Sequence, residues 1–412
     1  MAAALEMQSL PFDPAAARAT LAELPQAAAV FALYGAEAHA EPYIGRTPYL
    51  RARLERLLLP SEKHPKRLQL AGRVRRIAWR LTGSEFESLL VQFDLLQRQY
   101  DTKSLERMHL RAPAFVRFLG SNDYPRVVVT HRPSLREADW AYGPFASRAA
   151  AERYVDEALK LFLLRRCTDD LHPDPSHPGC VYSEMKMCLA PCYKGCTDER
   201  YAEEAAAVQE FLATRGESRL VVLRAEREKA SGALEFETAA AIHAQVQKVE
   251  SVRALAPELV RPLSRLRAVV LQASAEPDAV AMFLYEDGGL RGPFGFSIVG
   301  MRIQNEQSGS SSLFAQPVAI EAVPENAPAE PQRPARGVLE GRMEAALVVL
   351  TAEDEPPNAI ARQGHLALLK RWYYRPETRR VGEIFFPDAE GHWPIKALLR
   401  GAGRVAAGRI RA

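Results

Sequence analysis

The sequence predicts a multidomain protein of the α+β class, and three observations support this. The 412 residues are long for one domain, and at about 100–200 residues per domain we expect two to four globular units. Strand-like runs such as AVFALY and PRVVVTH alternate with stretches whose apolar residues recur at helical spacing. A polar, proline-rich segment at 305–336 predicts a linker before a small C-terminal α+β unit at 337–412.

The first elements in the chain predict a small unit of strands and helices. Residues 28–45 predict two strands joined by a turn: the apolar run AVFALY forms the first strand, and PYIG lies in the second. Residues 49–58 place four leucines at helical spacing. A second helix is predicted over 84–98, where Ser84 precedes Glu87 by three residues in a capping-box pattern.

Basic residues are concentrated in the segment 46–80. It holds eleven Lys and Arg residues against two acids, Glu55 and Glu62. Such a density is typical of a surface that faces phosphates, because each neutralised phosphate releases condensed counterions. The alternative is an ordinary solvated helix face, which a basic run also produces.

The predicted hairpin carries two triplets, ALY at 32–34 and YIG at 43–45, and Arg53 follows on the next helix. This arrangement resembles the GIY-YIG nuclease domain, a small α/β sandwich in which a hairpin carries two tyrosines and the following helix carries an arginine. The resemblance places such a domain at 24–112. A purely structural hairpin with aromatic ends is the alternative.

The GIY-YIG resemblance implies specific roles in phosphodiester hydrolysis. Tyr34 and Tyr43 would position or deprotonate the attacking water, and Arg53 would bind the phosphate. Gly45 would permit close approach of the backbone. Arg46 stands where the family usually has a lysine; it can bind phosphate but is poorly suited to shuttle a proton.

Five cysteines cluster between residues 167 and 196. The N-terminus lacks the pattern of a secretory signal, and we expect a cytoplasmic protein, in which disulfides are rare. The thiolates of Cys167, Cys180, Cys188 and Cys192 would then suit an iron–sulfur cluster or a structural zinc ion. Buried cysteines without a ligand are the alternative.

The sequence around the cysteines resembles the UvrC family, the excinuclease proteins of bacterial excision repair. The resemblance rests on GPF at 143–145, LFLLRRC at 161–167 and KMCLAPCYKGC at 186–196. It implies that the four matching cysteines, in a region at 113–198, hold a four-iron (4Fe-4S) cluster. Cys196 is surplus to that pattern.

A helical stretch at 234–249 carries an apolar stripe that includes Ile242 and Val246 and would pack on a partner. It resembles the UVR motif, a helical hairpin at 199–256 through which UvrB and UvrC associate. The resemblance rests on four residues: Phe236, Glu237, Ala239 and Ala240. The chain has His243-Ala244 where the family usually has Arg-Asp, and a core helix is the alternative.

The expected catalytic metal site lacks its carboxylate. In the family, a glutamate on the helix after the capping signal is the sole protein ligand of Mg²⁺, and the matching position here is Gln92. A neutral amide is a weak substitute for the anionic oxygen that Mg²⁺ prefers. Its loss would cost several kcal/mol, or at least roughly a thousandfold in rate. Glu85 and Asp94 offer no obvious replacement.

Residues 257–412 match neither the ribonuclease-H-like domain nor the helix-hairpin-helix tail of full-length relatives. We predict a β-rich segment at 257–304, with a hairpin turn at Asp287-Gly288-Gly289, before the linker. At 365–380, Lys370, Arg371 and Arg375 alternate with aromatic residues. Stacking on bases and packing of a small core are both compatible with this pattern.

Together these features predict a truncated UvrC-like protein of nucleotide excision repair that binds damaged DNA and UvrB, with an impaired 3′-incision site. One alternative is a non-catalytic DNA-binding adaptor, and another is a nuclease with a relocated metal site. Mg²⁺ would be a cofactor only if the site is active. The sequence has no P-loop, no GxGxxG motif and no long apolar run. We therefore expect the protein to bind no nucleotide cofactor and no membrane.

Overall fold

The structure is a computed structural model that describes residues 6–37, 40–60, 70–168, 170–301, 336–352 and 357–408. Within these ranges it contains twelve α-helices and three four-stranded antiparallel sheets, which confirms the α+β class. The predicted linker at 305–336 lies almost wholly outside the described residues. None of the described helices has the length and apolar character needed to cross a bilayer.

The chain forms two compact units, and neither follows a single stretch of sequence. One consists of Met1–Leu110, Arg267–Leu368 and Arg375–Ala412, and the other of Arg111–Leu266 and Leu369–Tyr374. The division differs from the six predicted segments because long-range strand pairing and packing join segments that are distant in sequence.

The N-terminal part of the first unit is a sheet covered by helices. Its elements are β1 (Gln8–Pro11), α1 (Ala17–Ala22), β2 (Ala29–Tyr34), β3 (Tyr43–Thr47), α2 (Leu50–Leu58), β4 (Arg76–Leu81), α3 (Glu85–Tyr100) and α4 (Lys103–Arg107). The strand order is β1-β4-β2-β3, so β3 lies at an edge. The predicted hairpin is confirmed, with Leu33 paired to Tyr43. Residues 8–11 extend the sheet beyond the predicted domain start at 24.

Local sequence explains where α3 begins. The Ser84 hydroxyl accepts a hydrogen bond from the Glu87 backbone N–H at 3.1 Å. In return, the Glu87 carboxylate accepts one from the Gly83 N–H at 2.8 Å. These contacts satisfy N–H groups that the first turn of a helix leaves without partners. The predicted helix and its cap are confirmed.

The second unit combines a sheet with a group of helices. Its elements are β5 (Ala114–Phe118), β6 (Val127–Thr130), β7 (Ala141–Phe145), α5 (Arg148–Leu159), α6 (Val181–Glu184), α7 (Asp198–Ala213), α8 (Glu217–Gly232), α9 (Phe236–Ala254) and β8 (Arg261–Pro262). The strand order is β6-β5-β7-β8. Three helices occupy the stretch from 198 to 254, where we predict two. Gly216, with φ of +84°, lies at the break between α7 and α8.

The C-terminal part of the first unit is a second sheet with helices. Its elements are β9 (Ala268–Ala273), β10 (Ala279–Glu286), β11 (Gly289–Ser297), α10 (Arg336–Thr351), α11 (Ala359–Tyr373), β12 (Glu383–Phe385) and α12 (Ile395–Ala406). Asp287 and Gly288 both have positive φ and form the predicted hairpin turn. The segments at 257–304 and 337–412 do not form separate bodies, because β12 pairs with β9 in one sheet.

The two parts of the first unit pack directly on each other along α3. The ring centroids of Phe86 on α3 and Phe283 on β10 lie 5.2 Å apart in an edge-to-face arrangement. Phe93, which is fully buried, packs in the same way on His365 of α11. The other side of α3 lies against β2 and β3. The helix is therefore enclosed by the N-terminal sheet and the C-terminal part together.

This packing predicts that Gly83→Ala destabilises the first unit. A methyl group on Gly83 would overlap main-chain atoms of Ala273 and Ser274, which cannot move as a flexible side chain can. We expect a loss of about 1–3 kcal/mol and a fall in Tm of about 2–12 °C. Gly72→Ala is the matched control because its Cβ would meet no atom within 4 Å. Equal Tm values for both variants in thermal denaturation would contradict this packing.

Candidate functional site

The edge strand β3 holds one half of the candidate phosphate site against α2. The Arg53 guanidinium on α2 donates a long hydrogen bond of 3.4 Å to the Tyr43 hydroxyl. Tyr43 is 36% exposed, so this hydroxyl is accessible from solvent. The structure therefore brings together two of the residues that the sequence predicts for phosphodiester chemistry.

Gly45 is required by the packing beneath the strand. A Cβ at this position would lie 2.8 Å from the ring of Phe31, which is fully buried in the core under α2. A larger residue would push Phe31 out of place or lift the edge strand. In this structure the glycine thus positions the backbone of β3, two residues from Tyr43.

Tyr34 lies at the same end of the sheet as Tyr43 but on the other face. Leu33 pairs directly with Tyr43, and successive side chains of a strand point to opposite faces. The Arg76 guanidinium carbon stands 4.0 Å from the centre of the Tyr34 ring, in a cation–π contact. The two tyrosines are therefore held by different arginines rather than by one shared partner.

Arg46 faces α3, where it takes part in a cluster of three charges. Its Nη1 lies 3.5 Å from Glu85 Oε1. Arg375, which follows α11, makes a two-pronged contact with the same carboxylate, at 2.8 Å and 2.9 Å. The hydrogen bond to Glu85 raises the pKa of Arg375 above the usual value of an arginine. Arg375 was not among the predicted site residues, because its role depends on a contact with a residue 290 positions away.

The acidic side chains of α3 all have partners already. Glu85 pairs with two arginines, Glu87 is buried and accepts from Gly83, and Asp94 contacts His365 Nε2 at 3.2 Å. Desolvation raises the pKa of Glu87, an effect that outweighs the hydrogen bond from Gly83. The half-buried Gln92 lies seven residues after Glu85, two turns along nearly the same face. The α3 position that the resemblance assigns to the Mg²⁺ ligand is therefore a neutral amide, and the carboxylates of the helix are engaged with other groups.

The loops between α5 and α7 hold the cysteines, all of them half-buried and none in a disulfide. Burial, together with the neighbouring Cys167, Cys192 and Cys180, raises the pKa of Cys188 to about 11. The sulfur of Cys188 is therefore close enough to those of the other three cysteines to interact with them electrostatically. Cys196 instead packs against the hydrophobic core of the unit.

Two groups already direct N–H donors at the cysteine sulfurs. The Ala190 backbone N–H donates to Cys188 Sγ at 3.3 Å, and the buried Arg165 donates to Cys167 Sγ at 3.7 Å. The contact with the Ala190 N–H favours the thiolate form of Cys188, the form that binds metals. Among the described residues, which include all five cysteines, no three sulfurs lie within 4.8 Å of one another. A zinc ion and an iron–sulfur cluster are both candidate ligands for such a set of soft sulfur donors.

The predicted partner-binding residues lie where α8 turns into α9. Phe236 is 68% exposed and the adjacent Leu234 is 72% exposed; Glu237 and Ala240 are also exposed, and Ala239 is half-buried. The far end of the predicted stripe is different. Val246 and Val249 are buried in the core of the same unit, so only the start of α9 is available to a partner.

Sequence reasoning missed the apolar residues on α8. Val221 and Val222 are 58% and 47% exposed, on the helix that pairs with α9. Their only sequence signature is a pair of adjacent valines in an otherwise charged helix, ESRLVVLRAEREK. At 365–380, by contrast, Trp372 is buried and the Tyr374 hydroxyl donates to the Pro144 carbonyl. These aromatic rings pack inside the second unit.

Known proteins resemble the chain over about half its length. Residues 115–211 match the family described as UvrC/Cho excinuclease, middle domain. The chain is 29% identical over 211 residues to UvrABC system protein C of Alcanivorax borkumensis, covering 51% of this chain and 34% of that protein. With its counterpart from Aliivibrio salmonicida the identity is 30% over 249 residues, covering 59% and 39%. The chain thus spans little more than a third of these relatives. No solved structure matches it.

Proposed function

From its similarity to UvrABC system protein C, which identifies the chain as UvrC-like, we propose that it acts in nucleotide excision repair by binding damaged DNA and UvrB without cutting the DNA. One observation carries the second half of this proposal. Gln92 is neutral, and each acidic side chain of α3 already has a partner. In this proposal Tyr43 and Arg53 supply the phosphate-binding half of a GIY-YIG site, and no carboxylate supplies the metal-binding half.

The site residues have distinct tasks in such a DNA-binding role. Arg53 presents its guanidinium beside the Tyr43 hydroxyl, so the two can donate to one phosphate group. Tyr34 and Gly45 keep the end of the hairpin in place through packing. None of these contacts reads a base edge, and the binding is therefore expected to depend on the DNA backbone rather than on sequence.

The decisive experiment combines the purified chain with UvrB-loaded duplex that carries a lesion. We expect a complex of protein, UvrB and DNA on native gels, with the duplex left intact in Mg²⁺ or Mn²⁺. The proposal is wrong if the chain binds neither UvrB nor DNA. Cutting by the native chain would instead support a nuclease whose metal site has been relocated.

An iron–sulfur cluster held by Cys167, Cys180, Cys188 and Cys192 belongs to the same proposal. The thiolate donors are soft, and two N–H groups are directed at the sulfurs. When bound, such a cluster would cross-link the loops between α5 and α7 and supply a one-electron redox centre.

The α8–α9 turn is the proposed docking point for UvrB, and Phe236→Asp is expected to weaken that contact. An exposed aromatic side chain can anchor an interface, and losing such an anchor costs about 2 kcal/mol or more, or about 30-fold in Kd. Because Phe236 is largely exposed in the chain itself, the substitution should leave Tm unchanged. Isothermal titration calorimetry with UvrB measures the effect.

The matched control for the docking prediction is Val299→Asp. Val299 is also an exposed apolar residue, 57% accessible, but it belongs to the other unit. We expect its Kd for UvrB to equal that of the native chain. Equal affinities for Phe236→Asp and the native chain would place the UvrB contact elsewhere.

A further inference from the structure

Two guanidinium groups converge on one carboxylate at the N-terminal end of α3. Arg46 comes from the edge strand β3, and Arg375 comes from the C-terminal part of the same unit. Their side chains are 36% and 23% exposed, and Glu85 between them is 47% exposed. A ligand from solvent can therefore reach all three.

The charges of this cluster do not cancel. Two cations face one anion, so these three side chains together carry a net charge of about +1. All three side chains are partly exposed to solvent, which screens these ion pairs and allows the guanidinium groups to exchange partners. Each guanidinium has five N–H donors. The contacts with Glu85 engage two of those on Arg375 and one on Arg46, and the others can serve a second anion.

The fork geometry of arginine selects the kind of anion. Arginine binds carboxylate and phosphate through paired N–H donors, and Glu85 already shows that both groups can reach one planar anion together. Arg375 belongs to the C-terminal part of the unit, beyond the residues 115–211 that match the UvrC/Cho model. It adds a fixed positive charge beside Glu85 at the N-terminal end of α3.

We propose that Arg375 and Arg46 form a metal-independent site for a DNA phosphodiester group, in which Glu85 orients the two guanidinium groups and competes with the phosphate. The proposal rests on the proposed function in one respect, namely that the chain binds DNA. It assigns to Arg375 the neutralising task that a divalent metal has in a nuclease, without the chemistry that such a metal performs.

Opposite substitutions in the cluster should change DNA affinity in opposite directions. Binding of an undamaged fluorescent duplex is measured by anisotropy in EDTA and in Mg²⁺ at equal ionic strength. We expect the native affinity to be the same in both. Arg375→Ala should weaken binding by about three- to tenfold and lower the slope of log K against log salt by about 1. Glu85→Gln should tighten binding by about threefold, because it removes a competing anion.

The opposite signs separate phosphate binding from a merely structural link. If the cluster were only a structural ion pair, both variants would have a lower Tm than the native chain, and neither would bind DNA more tightly. Arg379→Ala is the matched control: this exposed arginine lies four residues after Arg375, and its loss should change affinity less than twofold.

Three results would overturn the inference. They are unchanged affinity and salt slope in Arg375→Ala, weaker binding in Glu85→Gln, or a requirement of the native chain for Mg²⁺. If the native chain binds no duplex under any condition, the proposed function fails as well. If the native chain binds but the two variants behave like it, only the inference about Arg375 fails.

Discussion

Replacing Gln92 with glutamate is expected to give the chain Mg²⁺-dependent cleavage, which we propose that the native protein lacks. A carboxylate at this position would supply the hard anionic oxygen that Mg²⁺ requires. The resulting charge stabilisation is worth several kcal/mol, or at least roughly a thousandfold in rate. UvrB-loaded, lesion-bearing duplex is incubated with each variant, and cut strands are separated on denaturing gels.

The control for this gain of activity lies on the same helix. Gln99→Glu adds an identical carboxylate two turns along nearly the same face of α3, at an exposed position, and should leave the duplex intact. Tyr43→Phe in the Gln92→Glu background should abolish the new activity, because it removes the hydroxyl next to Arg53. If the native chain cleaves and Tyr43→Phe stops it, the metal site lies elsewhere and the adaptor proposal is wrong.

The second large effect is expected at the cysteines: Cys188→Ser should abolish the iron–sulfur chromophore. Protein purified without oxygen should be brown and contain about four iron atoms per chain. Cys188 lies among the other three ligands, and a serine hydroxyl is a poor substitute for a soft thiolate. Absorbance spectra and iron analysis measure the loss.

Cys196→Ser is the matched control, because Cys196 packs against the core rather than among the other four cysteines. It should keep full iron content and colour. Acid should promote cluster loss, since burial raises the pKa of Cys188 to about 11 and protons then compete strongly with iron for its sulfur. A colourless protein with one zinc ion per chain would refute the cluster.

Local patterns in the sequence predict the elements of the fold well. The β2–β3 hairpin, the cap of α3 and the Asp287-Gly288 turn depend on residues a few positions apart. Hydrogen-bonding side chains and positive φ leave a recognisable signature at such short range. The pairing of the three-residue strand β12 with β9 has no such signature, so the joint C-terminal sheet could not be predicted.

For the candidate site, too, the sequence predicts the residues that belong to local motifs and misses those that are joined by long-range contacts. The sequence predicts Tyr43, Arg53 and the neutral Gln92, since each belongs to a motif with fixed spacing. It does not reveal that Arg375 reaches Glu85 across 290 positions, because a bidentate contact leaves no trace in local composition. At 234–249 the apolar pattern could not distinguish the exposed Phe236 from the buried Val249, since the 3.6-residue period is the same for a core and for a docking face.

The enclosure of α3 also bears on how the protein is made. The residues that cover Phe86 and Phe93, among them Phe283 and His365, leave the ribosome only after the whole of 111–266 has been synthesised. At about 5–20 residues per second this interval is roughly 10–30 s. During this time the nascent N-terminal part displays uncovered aromatic rings, which are prone to association. We therefore expect ribosome-bound chains that end near residue 260 to be substrates for chaperones, whereas chains that extend past α11 are not.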